Sequence, residues 1–295
     1  MATQINFDEA RTILKKMREE QVRDGDMVVK LWEGFVIHQS HKLGDELWLV
    51  YEQVCIAALD CQRLDLAEEC IEALKYKFSD SMRVERLRGM LYEADGRFNK
   101  ADKLYSDIIE KDPTNMIARK RQVAILKAQG KTAEAIQKLN DYLKKFMTDY
   151  ESWMELCDLY LSEFDYFNAA FCMEEVIMSN PHNHLFHQKY AEIRFTMGGS
   201  DNMELARSYF AQAVRLNPNN VRALYGVLLA ATNLATVFSK GSKEKQINAR
   251  YASWAEEQLT VKYKTETGED QRKDTKCLES LRKLLELSQS TISSN

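Results

Sequence analysis

Three histidines stand close together in this chain: His182, His184 and His187. His184 and His187 could share one helix face, the arrangement a bound metal uses, but a metal site needs three or four ligands and supporting hydrogen bonds around them. No such set surrounds this group, so it reads as a polar turn running into a helix. Gly130-Lys131-Thr132 has the ending of a phosphate-binding loop, yet position 125 is Ile125 where that motif requires glycine. Six cysteines (55, 61, 70, 157, 172 and 277) include no Cys-x-x-Cys pair. They are expected to be reduced and packed as small apolar groups; Cys157 and Cys172 fall on paired helices and are expected to approach each other. No serine-nucleophile elbow and no His-Glu-x-x-His is present. The chemistry-bearing residues therefore predict no catalytic residue, no cofactor and no metal, and the question passes to the elements that hold them.

The 295 residues include only 3 Pro and 11 Gly, where average usage gives roughly 15 and 20. Sandwiches and barrels need turn residues about every 8–12 positions, so the composition argues for helices. With 45% apolar and 29% charged residues the chain can bury a core and keep a wetted surface. Its net charge of −4 gives no general attraction to nucleic acid, and none is expected as a partner. The longest uncharged stretch, Ala223 to Ser239, is too short and too polar for a membrane span. The charged Asp8-Glu9-Ala10-Arg11 close behind Met1 argues against a secretion signal.

A period of 34 runs through the middle. Ala67, Ala101, Ala135 and Ala169 are each 34 apart, and Ala206 follows after 37. Pro113, Pro181 and Pro218 each lie twelve residues after one of these alanines. Gly96 and Gly130 lie five before theirs; Gly198 lies eight before Ala206, which places a three-residue insertion in Gly198-Gly199-Ser200-Asp201-Asn202. In a stack of helical hairpins a small residue is needed where two helices cross, proline stops the second helix, and Asn115, Asn219 and Asn220 can cap or turn. Aromatic and leucine positions at helical spacing fill the layer between units.

Thirty-four residues is the length of the tetratricopeptide repeat, and the chain resembles that family in detail. Trp153, Leu156, Tyr160, Ala169 and Pro181 fit one unit; Gly89, Tyr92, Ala101, Tyr105 and Pro113 fit another; Tyr190, Phe195, Ala206, Phe210, Ala213 and Pro218 a third. The expected fold is all-α, a superhelical solenoid over 48–264 with units at 48–81, 82–115, 116–149, 150–183, 184–220 and 221–264. Residues 1–47 are expected to form two capping helices, the second including Met27, Val28, Leu31, Trp32, Phe35 and Val36, with Trp32 in the cap core. The last unit is expected as a helix at Ala223–Phe238, a loop at Ser239–Lys245, and a helix at Gln246–Lys264 with Ala252 and Trp254 inward. Residues 265–295 are expected as a loop, an amphipathic helix at Lys276–Leu287 and a frayed tail.

The resemblance to the repeat family implies a ligand groove at about positions 2, 5, 9 and 12 of each first helix. Here those positions include Arg83, Arg86, Lys120 and Lys127 in the N-terminal half, then Met154, Asp158, Gln188 and Glu192. A groove basic at one end and acidic further on would hold an extended peptide in one direction. Chaperone-binding members use asparagines where this chain has Ala124 and Asp158, which argues against a co-chaperone of that type.

More specific strings carry a closer resemblance: Asp112-Pro-Thr-Asn115, Ala118-Arg-Lys-Arg121, Lys127-Ala-Gln-Gly-Lys131, Ala169-Ala-Phe-Cys172, Asn180-Pro-His-Asn-His-Leu185, Tyr251-Ala-Ser-Trp-Ala255, Lys42-Leu-Gly-Asp45 and Tyr51-Glu-Gln-Val54. Over about residues 42–260 they are similar to a family of helical-repeat subunits of the endoplasmic reticulum membrane protein complex. That resemblance implies a non-catalytic scaffold, peripheral on the cytoplasmic face of the endoplasmic reticulum. Such a scaffold holds cytosolic tails of membrane subunits and a soluble cytosolic subunit while tail-anchored and multipass proteins are inserted, without itself entering the bilayer. The rival expectation is a peptide-binding adaptor unconnected with membranes.

Overall fold

The computed structural model describes residues 6–237 and 242–265, together with Ser280. The described residues are all-α, with fourteen α-helices and no strand. Where the repeat pattern suggests one array over 48–264, the chain divides into two compact units, Met1–Ala135 and Ile136–Asn295.

The first unit opens with α1 (Phe7–Glu19), started by a reciprocal cap. The Glu9 amide donates to Asn6 Oδ1 at 2.9 Å, and the Asn6 amide donates to Glu9 Oε2 at 3.1 Å. Phe7, Ala10, Leu14 and Met17 form its buried face. The expected second capping helix is not one straight helix. It is α2 (Gly25–Leu31), then a π-helical turn at Trp32–Val36 and a 3₁₀ segment at Ile37–Leu43. The wider turn inserts a residue into the helical register, so Leu31, Trp32 and Val36 all face the core while Met27 is exposed. Hairpins follow: α3 (Glu46–Asp60) with α4 (Leu64–Lys77), then α5 (Met82–Ala94) with α6 (Phe98–Lys111), then α7 (Met116–Ala128). Helix α8 (Thr132–Leu143) carries the boundary between the units.

The second unit contains three hairpins: α9 (Tyr150–Ser162) with α10 (Tyr166–Ser179), α11 (His184–Met197) with α12 (Ser200–Leu216), and α13 (Val221–Val237) with α14 (Lys243–Thr265). Helix α13 starts two residues before the expected Ala223, and α14 starts at Lys243, inside the expected loop. Trp254 is a correction: it is 40% exposed, and Ala255 and Leu259 take the inward positions of α14. The inward register is set by packing on α13, not by side-chain size. The expected Lys276–Leu287 helix, the loop before it and the tail lie outside the described residues, Ser280 excepted.

The turns inside four of the hairpins are built alike. The amides of Arg63, Arg97, Lys131 and Asp165 donate to the carbonyls of Ala58, Tyr92, Leu126 and Tyr160 at 2.8–2.9 Å. This Schellman closure requires a left-handed residue just before the donor. Gln62, Gly96, Gly130 and Phe164 occupy that place with φ of 59°, 72°, 71° and 60°. Asparagine or aspartate then starts the next helix: Asn115 caps α7, Asp149 caps α9, Asn183 caps α11, and Asn220 accepts from the Ala223 amide at 3.0 Å. Ala67, Ala101, Ala135, Ala169 and Ala206 are all fully buried. Against them lie rings such as Tyr105 and Phe210, which fill space left by Gly89 and Gly226; a Cβ on either glycine would come within 2.5 Å of the ring. Pro113, Pro181 and Pro218 stand in the turns after α6, α10 and α12.

Candidate partner-binding surfaces

In the first unit Arg83 and Arg86 lie on α5 and both pair with Glu52 of α3. Arg83 Nε donates to Glu52 Oε1 at 2.7 Å. Arg83 also reaches a cavity of about 410 Å³ bounded by Met17, Val22, Gly25, Leu49 and Ile56, whose far side holds a two-pronged Arg23–Asp60 pair at 2.6 and 2.7 Å. Lys120 is half-buried and Lys127 exposed, both on α7. Near α1, Arg11 and Arg18 converge on Glu46 at 2.7 and 2.8 Å. Burial alone would raise the Glu46 carboxyl, but the two guanidinium groups overcome this and hold it below the ordinary glutamate value.

In the second unit the expected acidic positions are similarly engaged. Lys189 of α11 donates to Asp158 of α9 at 2.5 Å, and Arg222 Nε of α13 donates to Glu192 of α11 at 2.5 Å. Gln188 donates to Glu192 at 2.8 Å and accepts from Asn220 at 2.8 Å. Met154 is half-buried on α9. Successive first helices are thus cross-linked by opposite charges 30 or 31 residues apart: Glu52 with Arg83, Asp158 with Lys189, Glu192 with Arg222. Counting groove positions one unit at a time missed Glu52, Lys189 and Arg222. The signal was present in the sequence as opposite charges slightly less than one repeat apart. Each pair reduces the local field that a bound peptide would meet, while fixing the helices that carry it.

The histidines are drawn to separate partners. His187 turns inward and its Nε2–H donates to the Pro181 carbonyl at 2.8 Å. His184 lies between the side-chain amides of Asn220 and Asn217, at 2.9 and 3.0 Å. Among the described residues no cluster of three or more His, Cys, Asp or Glu side chains is placed to hold a metal ion. Burial pushes the thiols of Cys55, Cys70 and Cys172 up to about 12 and that of Cys157 up to about 11. Thiols so raised stay protonated at neutral pH and are poor nucleophiles. Cys277 lies outside the described residues. No described helix is long and apolar enough to cross a membrane.

Hairpins of this length, four of them closed by the same turn and several linked first helix to first helix, define a tetratricopeptide-repeat fold. A solved C-terminal part of a tetratricopeptide-repeat protein from Cytophaga hutchinsonii shares this fold, with a TM-score of 0.57 at 16% identity over 87% of this chain and 95% of that one. Residues 74–201 match the family described as the EMC2 TPR-like repeat domain. The ER membrane protein complex subunit 2 of Xenopus tropicalis is 43% identical over 288 residues, 97% of each chain. The protein of that name from Dictyostelium discoideum is 32% identical over 88% of this chain and 84% of its own. The chain belongs to the ER membrane protein complex subunit 2 family.

Proposed function

We propose that this chain is a non-catalytic scaffold subunit of an endoplasmic reticulum membrane protein complex. It sits peripherally on the cytoplasmic face and holds cytosolic segments of partner subunits while tail-anchored and multipass proteins are inserted. The observation that carries this reading is similarity along almost the entire chain, 97% of both sequences, to a subunit of that complex. The structure supports it in kind. Ion pairs between successive first helices stiffen a framework, and the four buried cysteines, Cys55, Cys70, Cys157 and Cys172, are held as protonated thiols. Insertion of a polypeptide needs no bond made or broken by such a subunit; its contribution is to fix where partners stand. Arg83, Arg86, Lys120 and Lys127 on the first unit, and Met154, Asp158, Gln188 and Glu192 on the second, are the groove positions proposed to meet those segments.

Affinity purification in mild detergent tests the proposal. Membrane subunits should co-purify in equal amounts, and carbonate should strip the chain from sedimented membranes. A chain that stays in the soluble fraction, without membrane subunits, would instead be a free peptide-binding adaptor.

A further inference from the structure

Three cavities of the first unit meet at one guanidinium group. Arg83 borders the cavity of about 410 Å³ beside the Arg23–Asp60 pair, a second of about 240 Å³ and a third of about 340 Å³. The first two share Leu49, Glu52 and Arg83, so Leu49 and the Glu52–Arg83 bridge form the wall between them. Both are apolar inside. Val22 and Ile56 line the first; Trp48 and Phe78 line the second, their rings edge-on with centroids 5.7 Å apart. The third brings Arg83 and Arg86 together over Met82 and Ile108, with no acid among the described residues that line it. Leu49 and Phe78 are 49% and 41% exposed, so the apolar surface is open to a partner.

Charge indicates what such a partner carries. Two guanidinium groups share one carboxylate: Arg83 Nε donates to Glu52 Oε1 at 2.7 Å, and Arg86 stands 3.5 Å from the same oxygen. Among the described residues Glu52 is the acid paired with both, so one positive charge is left over. Position adds to the surplus. Arg83 lies in the first turn of α5, where the helix end is already electropositive and an acid is favoured. Glu85, the acid of that turn, is drawn to Arg88 at 3.8 Å, and Ser81 supplies no side-chain cap. Cations so placed work against the helix that carries them, and an anion from outside would complete the set. The rest of the first cavity is balanced. Arg18 is matched by Glu46 and Arg23 by Asp60, and Asp24 caps α2 through the Met27 amide at 3.0 Å.

We infer that this stretch of the groove takes a segment of another polypeptide that presents one carboxylate to Arg83 and Arg86 and sets two large apolar side chains in the cavities on either side of Leu49. It rests on the groove proposed to meet partner segments and gives the first unit's part of that groove its ligand chemistry. A phosphate would also meet the guanidinium groups. Two apolar cavities divided by an ion pair, however, fit separate side chains better than one continuous acyl chain.

The test uses the purified full-length chain and labelled alanine-based peptides of twelve residues, blocked at both ends. Each carries two phenylalanines and one glutamate, in each of the three possible orders, with lysine replacing glutamate in a matched set. Binding is followed by fluorescence anisotropy. At least one glutamate order should bind, weaken as salt rises, and exceed its lysine counterpart by about tenfold. Arg83→Glu should reverse that preference. Arg83→Gln and Leu49→Ser should each weaken the glutamate peptide by about tenfold, with unchanged helical circular dichroism. The inference is overturned if no glutamate order binds, if the lysine counterpart binds equally well, or if Arg83→Gln and Leu49→Ser both bind like the parent. Capture of phosphatidylserine vesicles through Arg83 in place of the peptides overturns it too. The chain is assayed alone, so this failure is distinct from failure of the scaffold role, which shows as membrane subunits that do not co-purify.

Discussion

Gly89 lies under Tyr105, a ring fully buried and tied through its hydroxyl to Glu93 at 2.6 Å. Its role is to be absent: a methyl group there displaces a ring that has no room to move. Gly89→Ala should cost about 1–3 kcal/mol through overpacking, despite its better helix propensity, and thermal or urea melting checks it. Glu46 gives a pH signature. Its folded carboxyl lies below the ordinary value, so its contribution is complete above the unfolded pKa of about 4.3 and is lost as pH falls through the folded one. Glu46→Gln should therefore lower stability at pH 7. Its deficit should shrink as both proteins are acidified below about pH 4; a constant gap across that range would contradict the pairing with Arg11 and Arg18.

At the scale of elements, the caps and turns decide where helices stop. Asn220 is buried, caps α13 through the Ala223 amide, and bonds His184 and Gln188. Asn220→Ala should cost about 1–3 kcal/mol, since it removes a cap and leaves buried partners unsatisfied. The ion pair between Asp158 and Lys189 joins two first helices at a partly exposed site. A double-mutant cycle should give it less than about 1 kcal/mol, with the effect falling as salt rises. These pairs follow from a spacing legible in the sequence, yet a reading that takes each repeat separately assigns Asp158 and Glu192 to a free acidic face. The displaced inward position on α14 is similar in kind. Trp254 is the most apolar-looking candidate, but α13 meets the side of α14 that carries Ala255 and Leu259.

For the whole molecule, the division into two compact units sets how damage should spread. Ala169 is fully buried in the α9–α10 hairpin, so Ala169→Glu buries an unpaired charge and should cost several kcal/mol, about 3–5. Because repeats are stabilised chiefly by their neighbours, hydrogen exchange should show α9–α12 losing protection first, with α3–α6 retaining theirs. Equal loss in both units would mean that they unfold as one.

The sequence by itself determined the helical class, the repeat length and the turn positions. Alanine, proline, glycine and asparagine act there through backbone geometry that each residue carries with it. It also carried the family, in strings more specific than the repeat. Only the tertiary structure decided which charges are joined across neighbouring hairpins, how the helix at Trp32 widens to turn three large side chains inward, and that Phe164, Phe167 and Phe171 stay outside. Those outcomes depend on what lies against each residue from a different repeat, and local periodicity describes a helix's faces without saying which of them another helix will cover.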